Sequence, residues 1–263
     1  MDIGKRKRLN RIFKNDGRTV IPPPNHGVTV GPLQGLVDMQ ETVDKLTKGD
    51  VDAIVVHKGI AKAVNTGSIG LIVHLSASTK LGPDPNRKVK VSSVEEALRL
   101  GADAVSLHIN VGALTEHEML MKLGNIADEC DSLGVPLLAM MYPRGPNVSS
   151  EYDPEMVAFA ARIGVELGAD IVKTNYTGSV ESFQRVVQGC PVPVIIAGGP
   201  KGKTERDVLE ATYGSIEAGG SGVSIGRNVF QHENPTGMTK ALSAIVHRGV
   251  TVEEALELIG DEP

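Results

Sequence analysis

Four times the chain writes nearly the same short phrase between a helical pattern and an apolar run: Gly49-Asp50-Val51-Asp52-Ala53, Gly101-Ala102-Asp103-Ala104, Gly168-Ala169-Asp170-Ile171 and Gly219-Gly220-Ser221-Gly222-Val223. Each glycine suits a helix C-cap, and the chain then turns at once into a strand. Such punctuation fits alternating β/α units with parallel strands. Eight strand candidates carry the pattern: Thr19–Pro24, Ala53–His57, Leu71–His74, Ala104–His108, Leu137–Met141, Ile171–Lys173, Val194–Ala197 and Gly222–Ile225. Helical patterns separate them at Leu33–Lys48, Val94–Leu100, Glu116–Leu133, Pro154–Leu167, Val180–Gln188 and Thr204–Ala218, with two more from Pro235 onward. Eight units in 263 residues predict one α/β domain over 1–263, a closed (β/α)8 TIM barrel. No GxGxxG follows the first strand to favour an open dinucleotide-binding sheet.

Two stretches sit awkwardly in that scheme. Residues 2–14 read as an amphipathic N-terminal helix, with Ile3, Leu9, Ile12 and Phe13 among Lys5, Arg6, Lys7, Arg8 and Arg11. A helix that plugs the barrel floor with its apolar face and leaves its charges solvated is favoured over a phosphate or nucleic-acid contact, because basic runs are usually solvated faces. Pro22-Pro23-Pro24 would remove three donors from a central strand. Either pairing ends early there or the segment is extended without ladder bonds.

Composition narrows the chemistry. Aromatic residues are 3% of the chain and Trp is absent, which argues against base-stacking modules. A net charge of −5 gives no general attraction to nucleic acid or anionic lipid. Cys130 and Cys190 lack metal or redox spacing and read as reduced thiols. No apolar run approaches the roughly 20 residues of a membrane span, and the start lacks a signal-peptide core. A soluble, cytoplasmic protein is expected.

Barrels keep their chemistry at the strand ends. There the sequence sets Asn25-His26-Gly27, His57-Lys58-Gly59, His74, His108, Tyr142-Pro143-Arg144-Gly145, Lys173, Gly198-Gly199-Pro200-Lys201 and Gly226-Arg227. Most lysines are solvated and inert, but one held against apolar walls at a barrel mouth loses its charge and can attack a carbonyl. Lys173 is read as such a Schiff-base lysine. Tyr142, on the neighbouring strand end, can pass protons to and from the same carbon centre. Gly198, Gly199, Lys201, Gly226 and Arg227 occupy the loops after the seventh and eighth strands, where barrels hold phosphate. Lys58 also ends a strand; with no tyrosine beside it, it is assigned substrate binding. His26, His57, His74 and His108 permit a rival metal-dependent hydrolase or aldolase, but no HxH or HExxH accompanies them.

Together, Asn25-His26-Gly27-Val28, Ala139-Met140-Met141-Tyr142-Pro143-Arg144-Gly145, Asp170-Ile171-Val172-Lys173-Thr174, Ala197-Gly198-Gly199-Pro200-Lys201 and Gly226-Arg227-Asn228 resemble the archaeal-type class I aldolase family. That family covers fructose-1,6-bisphosphate aldolases and 2-amino-3,7-dideoxy-D-threo-hept-6-ulosonate synthases. The resemblance implies a Schiff base on Lys173, Tyr142 as proton donor and phosphate on Gly198-Gly199 and Gly226-Arg227. It implies no metal or other cofactor, and a homo-oligomer, commonly a decamer. His26, Gly27, Pro143 and Arg144 join the substrate-binding set. The absence of Trp before the tyrosine resembles the synthase branch, whose members pass an enamine from a deoxy-ketofructose phosphate to aspartate semialdehyde. One departure stands out. The family pattern has Asp-His-Gly after the first strand, and here the residue is Asn25, which cannot accept a proton at neutral pH. Asn25 is expected to orient substrate within the catalytic set. A fructose-1,6-bisphosphate aldolase and a catalytically impaired sugar-phosphate binder remain the alternatives.

Overall fold

The computed structural model describes residues 2–199 and 204–260. Its strands are β1 (Thr19–Val20), β2 (Ala53–His57), β3 (Gly70–His74), β4 (Ser76–Ala77), β5 (Val89–Lys90), β6 (Ala104–Val111), β7 (Leu137–Pro143), β8 (Ile171–Asn175), β9 (Val194–Ala197) and β10 (Gly222–Ser224). Eight of them form one parallel sheet in the order β1-β10-β9-β8-β7-β6-β3-β2. β4 and β5 pair antiparallel within the loop after β3. The barrel closes through two backbone bonds, Asp52 N–H to Val20 O at 3.1 Å and Val55 N–H to Pro22 O at 3.3 Å. The prolines are thereby accommodated. The ladder toward β10 ends with Ile21 N–H on Val223 O at 2.9 Å, while the Pro22 carbonyl still accepts from β2.

The aspartates of the recurring phrase explain its repetition. Asp52 Oδ2 accepts from Val20 N–H at 2.6 Å, Asp103 Oδ2 from Leu71 N–H at 3.0 Å and Asp170 Oδ2 from Leu137 N–H at 2.9 Å. Each carboxylate thus satisfies the first free donor of a neighbouring strand and fixes the stagger of the barrel floor. Clustering them there requires countercharge, and the N-terminal segment supplies it. Lys5 pairs with Asp170 at 2.8 Å and with Asp131, Arg11 pairs with Asp103, and Lys14 lies 3.5 Å from Asp52. The expected floor plug is present: Ile12 is fully buried, and Leu9 and Phe13 pack against the inner core. The charges do not all stay solvated, however; Lys5 is buried against its two carboxylates. The regular helix is also shorter than expected, Ile3–Leu9.

Expected helices Glu116–Leu133 and Val180–Gln188 match to the residue. The helix expected from Leu33 begins instead at Met39, capped by Asp38 accepting from Glu41 N–H at 2.9 Å. Gly35, at φ +76°, sits where a Cβ would fall 1.9 Å from Phe230 O, so the preceding residues must turn rather than coil. β6, β7 and β8 run past the expected ends, to Val111, Pro143 and Asn175. Strand alternation sends one side-chain set outward under the helices and the other into the barrel. The inner set is apolar at the floor, with Ile21, Ala53, Ile72, Ala104, Leu138 and Ile171. Toward the other end it becomes polar.

Candidate active site

Lys173 sits in the middle of β8, two residues short of the strand's end. Its Cα pairs with Met140 of β7 on one side and Ile195 of β9 on the other, both inner-core residues. The side chain is 5% exposed and lines a cavity of about 480 Å³ at the polar end of the barrel. Burial lowers its pKa to about 7. Desolvation penalises the ammonium more than the amine, so about half the copies are neutral at pH 7, against roughly one in 2,500 for an ordinary lysine.

Tyr142 lies two residues beyond Met140 on β7, which keeps it on the inner face, and it lines the same cavity. Burial raises its pKa, partly opposed by the positive charge of Arg144. The Arg144 guanidinium lies 4.9 Å from the Tyr142 ring centre. The phenol therefore holds its proton at neutral pH, and a cation stands ready should it give that proton up.

The anion end is built from β9 and β10. Gly198, Gly199, Gly226 and Arg227 all border the cavity. Gly198 and Gly226 leave no room for a side chain, because a Cβ would fall 2.5 Å from Ile225 Cγ2 and 2.8 Å from His26 Cε1 respectively. Two polar atoms here are buried without partners among the described residues, Ser224 Oγ and Arg227 Nε. Buried donors left open in this way suit a ligand with several acceptor oxygens. Lys201 lies outside the described residues.

Histidines fill the wall between. The His57 and His74 rings are 5.2 Å apart, and the His108 ring is 4.9 Å from Tyr142. His74 is committed within the protein, Nδ1 to Ser106 Oγ at 2.7 Å and Nε2 to Ser76 Oγ at 3.4 Å. His108 Nε2 bonds Asn110 Oδ1 at 2.8 Å. Burial, then the positive charges of Lys173 and Arg227, lower His26 to about 4. All four rings are held below the usual histidine range, burial being the main cause. Among the described residues no group of three His, Cys, Asp or Glu side chains is placed to hold a metal.

Not every expected site residue reaches the cavity. Asn25 and His26 line it. Gly27, Pro143 and Lys58 are not in its wall. Gly27 opens the short helix Gly27–Val30, and Pro143 follows inward-facing Tyr142, so the pleat turns it away. Lys58 lies past the end of β2, opening the short helix Lys58–Ala61, and pairs with Glu96 at 3.1 Å. The sequence reading missed Lys88, Glu151, Asn175 and Ser224, which do line the cavity. Asn175 and Ser224 could have been found by counting alternate positions from Lys173 and Gly226. Lys88 and Glu151 lie in loops, where no periodicity marks them.

Comparison with known proteins places the chain among aldolases. A family model described as DeoC/LacD family aldolase matches residues 19–232. A Halobacterium salinarum protein named 2-amino-3,7-dideoxy-D-threo-hept-6-ulosonate synthase is 48% identical over 262 residues, covering 98% of this chain and 97% of the relative. A Streptomyces griseus 2-amino-4,5-dihydroxy-6-oxo-7-(phosphonooxy)heptanoate synthase is 44% identical over 248 residues, 93% of this chain and 90% of its own. An archaeal fructose-1,6-bisphosphate aldolase, solved with its catalytic lysine covalently bound to the carbinolamine intermediate, superposes with a TM-score of 0.87 at 36% identity. The match covers 92% of this chain and 99% of the aldolase.

Proposed function

Because the chain belongs to the DeoC/LacD aldolase family, we propose that it is a class I transaldolase of the 2-amino-3,7-dideoxy-D-threo-hept-6-ulosonate synthase type. It takes a phosphorylated ketose as donor and aspartate semialdehyde as acceptor, with Lys173 as nucleophile. The single observation that carries the reading is the buried amine of Lys173, its pKa lowered to about 7, in a cavity that also holds Tyr142 and two buried polar atoms, Ser224 Oγ and Arg227 Nε, without partners among the described residues.

The neutral amine adds to the ketone carbon, and a proton passes from nitrogen to oxygen to give the carbinolamine. Tyr142 then gives its proton to the departing hydroxyl, which leaves as water and generates the iminium. The resulting phenolate, steadied by Arg144, accepts the proton of the alcohol on the carbon two bonds from the iminium carbon. The carbon–carbon bond between that alcohol carbon and the carbon next to the iminium breaks. Its electron pair neutralises the iminium as an enamine, and the aldehyde fragment leaves. The acceptor aldehyde enters, the enamine carbon attacks its carbonyl carbon, and Tyr142 returns the proton to the new alcohol oxygen. Addition of water to the iminium frees Lys173.

Gly198, Gly199, Gly226, Arg227 and the Ser224 hydroxyl hold the phosphate, while Asn25 and His26 orient donor hydroxyls. We further propose that the protein acts as a cytoplasmic homo-oligomer; among the described residues no helix is long and apolar enough to cross a membrane. Asn25 favours a second reading, a sugar-phosphate binder with slowed proton transfer. Borohydride added with a ketose phosphate tests both. Covalent capture on the Lys173 peptide with turnover supports the transaldolase, and binding without capture supports the binder. Parallel assays of transfer to aspartate semialdehyde and of fructose 1,6-bisphosphate cleavage separate the synthase from the aldolase.

A further inference from the structure

The cavity has a second charged wall that the mechanism above leaves largely unused. Lys88 reaches it from the loop between β4 and β5, and Arg144 and Glu151 border it. This loop is pinned to the barrel rather than loose. Asn110 Nδ2 donates to Asn86 O at 2.8 Å, and Lys122 Nζ donates to Lys88 O at 2.7 Å. Lys88 Nζ donates to Ser78 Oγ at 2.5 Å and Pro85 O at 3.0 Å. An ammonium has three donors, so one is left over, and neither partner is charged.

The charges around this wall are mixed. Burial and then the facing charge of Arg144 lower Lys88 to about 8, against a weaker opposite pull from Asp84. Two cations that disfavour each other's charge are relieved by an anion placed between them. Arg144 Nε lies 2.9 Å from Glu151 Oε2, yet its N–H is not aligned to bond it and remains unsatisfied. Glu151 also borders a neighbouring depression of about 330 Å³ with Asp84, Asn86 and Arg144.

We propose that Lys88, Arg144 and Glu151 form the subsite for the acceptor aldehyde and select a zwitterionic α-amino-acid aldehyde. Its carboxylate lies against Lys88 and Arg144, and its ammonium lies on Glu151. This inference rests on the transaldolase reading and names what that reading leaves open, how the acceptor is recognised. A second phosphate would bring a dianion against the Glu151 carboxylate, whereas a zwitterion answers both signs at once. The β9–β10 anion end of the same cavity has Arg227 as its cation, so donor phosphate and acceptor carboxylate meet different cations.

The test is kinetic, with two variants and two acceptors. Lys88→Met is expected to raise the KM for L-aspartate semialdehyde at least tenfold and the KM for the ketose phosphate less than threefold. Glu151→Gln is expected to raise the KM for L-aspartate semialdehyde by a similar factor. It should leave that for succinic semialdehyde, which lacks the ammonium, within twofold. Unchanged acceptor KM in both variants would overturn the assignment, as would a shift confined to the donor. L-Homoserine, an unreactive analogue of the acceptor, reads the subsite by calorimetry without turnover. Its binding to the native protein should weaken at least tenfold in Lys88→Met, and no binding to the native protein would sink the subsite. Failure of borohydride capture in the native protein strikes the transaldolase reading instead, and the homoserine titration still decides this one.

Discussion

Replacing Lys173 with methionine should abolish Schiff-base chemistry and make the protein more stable. Methionine matches the length of the lysine stem, so the barrel interior changes little in volume. What changes is a buried group whose folded pKa is about 7, against about 10.4 in an unfolded chain. Between those two values the unfolded state binds a proton that the folded state does not, so native stability rises with pH across that window. Below pH 7 the penalty is at its full value, about 5 kcal/mol, because each pH unit separating the folded from the unfolded pKa is worth about 1.36 kcal/mol. At pH 7 it is about 4 kcal/mol, and at pH 10 about 1 kcal/mol. Lys173→Met should recover those amounts. For a chain of this length 4 kcal/mol corresponds to a Tm increase of about 7 °C. Urea unfolding and thermal melts of both proteins at pH 7 and pH 10 measure the difference directly. A variant no more stable than the native protein at pH 7, or one whose advantage persists undiminished at pH 10, would mean that Lys173 keeps its charge in the folded state. An ammonium cannot attack a carbonyl, so the nucleophile would be lost as well.

Three further outcomes follow from the same geometry. Tyr142→Phe should leave the fold and phosphate binding intact but slow borohydride capture and turnover by about 10²-fold or more, the usual worth of a positioned proton carrier; single-turnover capture on Lys173 reads it. Asn25→Asp places a carboxylate in the cavity wall beside His26 and should raise turnover about tenfold or more, so an unchanged kcat would assign proton transfer to Tyr142 alone. Lys5→Met leaves Asp170 without its cation at the barrel floor, far from the chemistry. It should cost about 3 kcal/mol in urea unfolding with kcat unchanged at low temperature, and a loss of activity without loss of stability would contradict the floor assignment.

The recurring glycine–aspartate phrase, the order of β and α patterns and the position of Lys173 were legible because they rest on local physics. Helix C-caps, period-two strands and a lone cation in an apolar run leave marks within a few residues of themselves. Tyr142 was legible once its strand was known to neighbour that of Lys173. Lys58 misled because nothing in the sequence marks that the strand stops at His57 and that Lys58 already opens the next helix. The N-terminal lysines and arginines were read as solvated, since nothing near them in the chain reveals the carboxylates they meet. Those carboxylates, Asp103 and Asp170, lie 92 and 165 residues away from Arg11 and Lys5.

By itself, then, the sequence determined the repeating unit, its count and the residue type that can form an imine. The tertiary structure alone decided which polar groups share one cavity, how far water is excluded from Lys173, and that Lys88 and Glu151 share a wall with Arg144. Pairing two groups distant along the chain depends on barrel closure and strand stagger. Desolvation depends on everything packed around a group, so neither quantity exists in any short stretch of sequence.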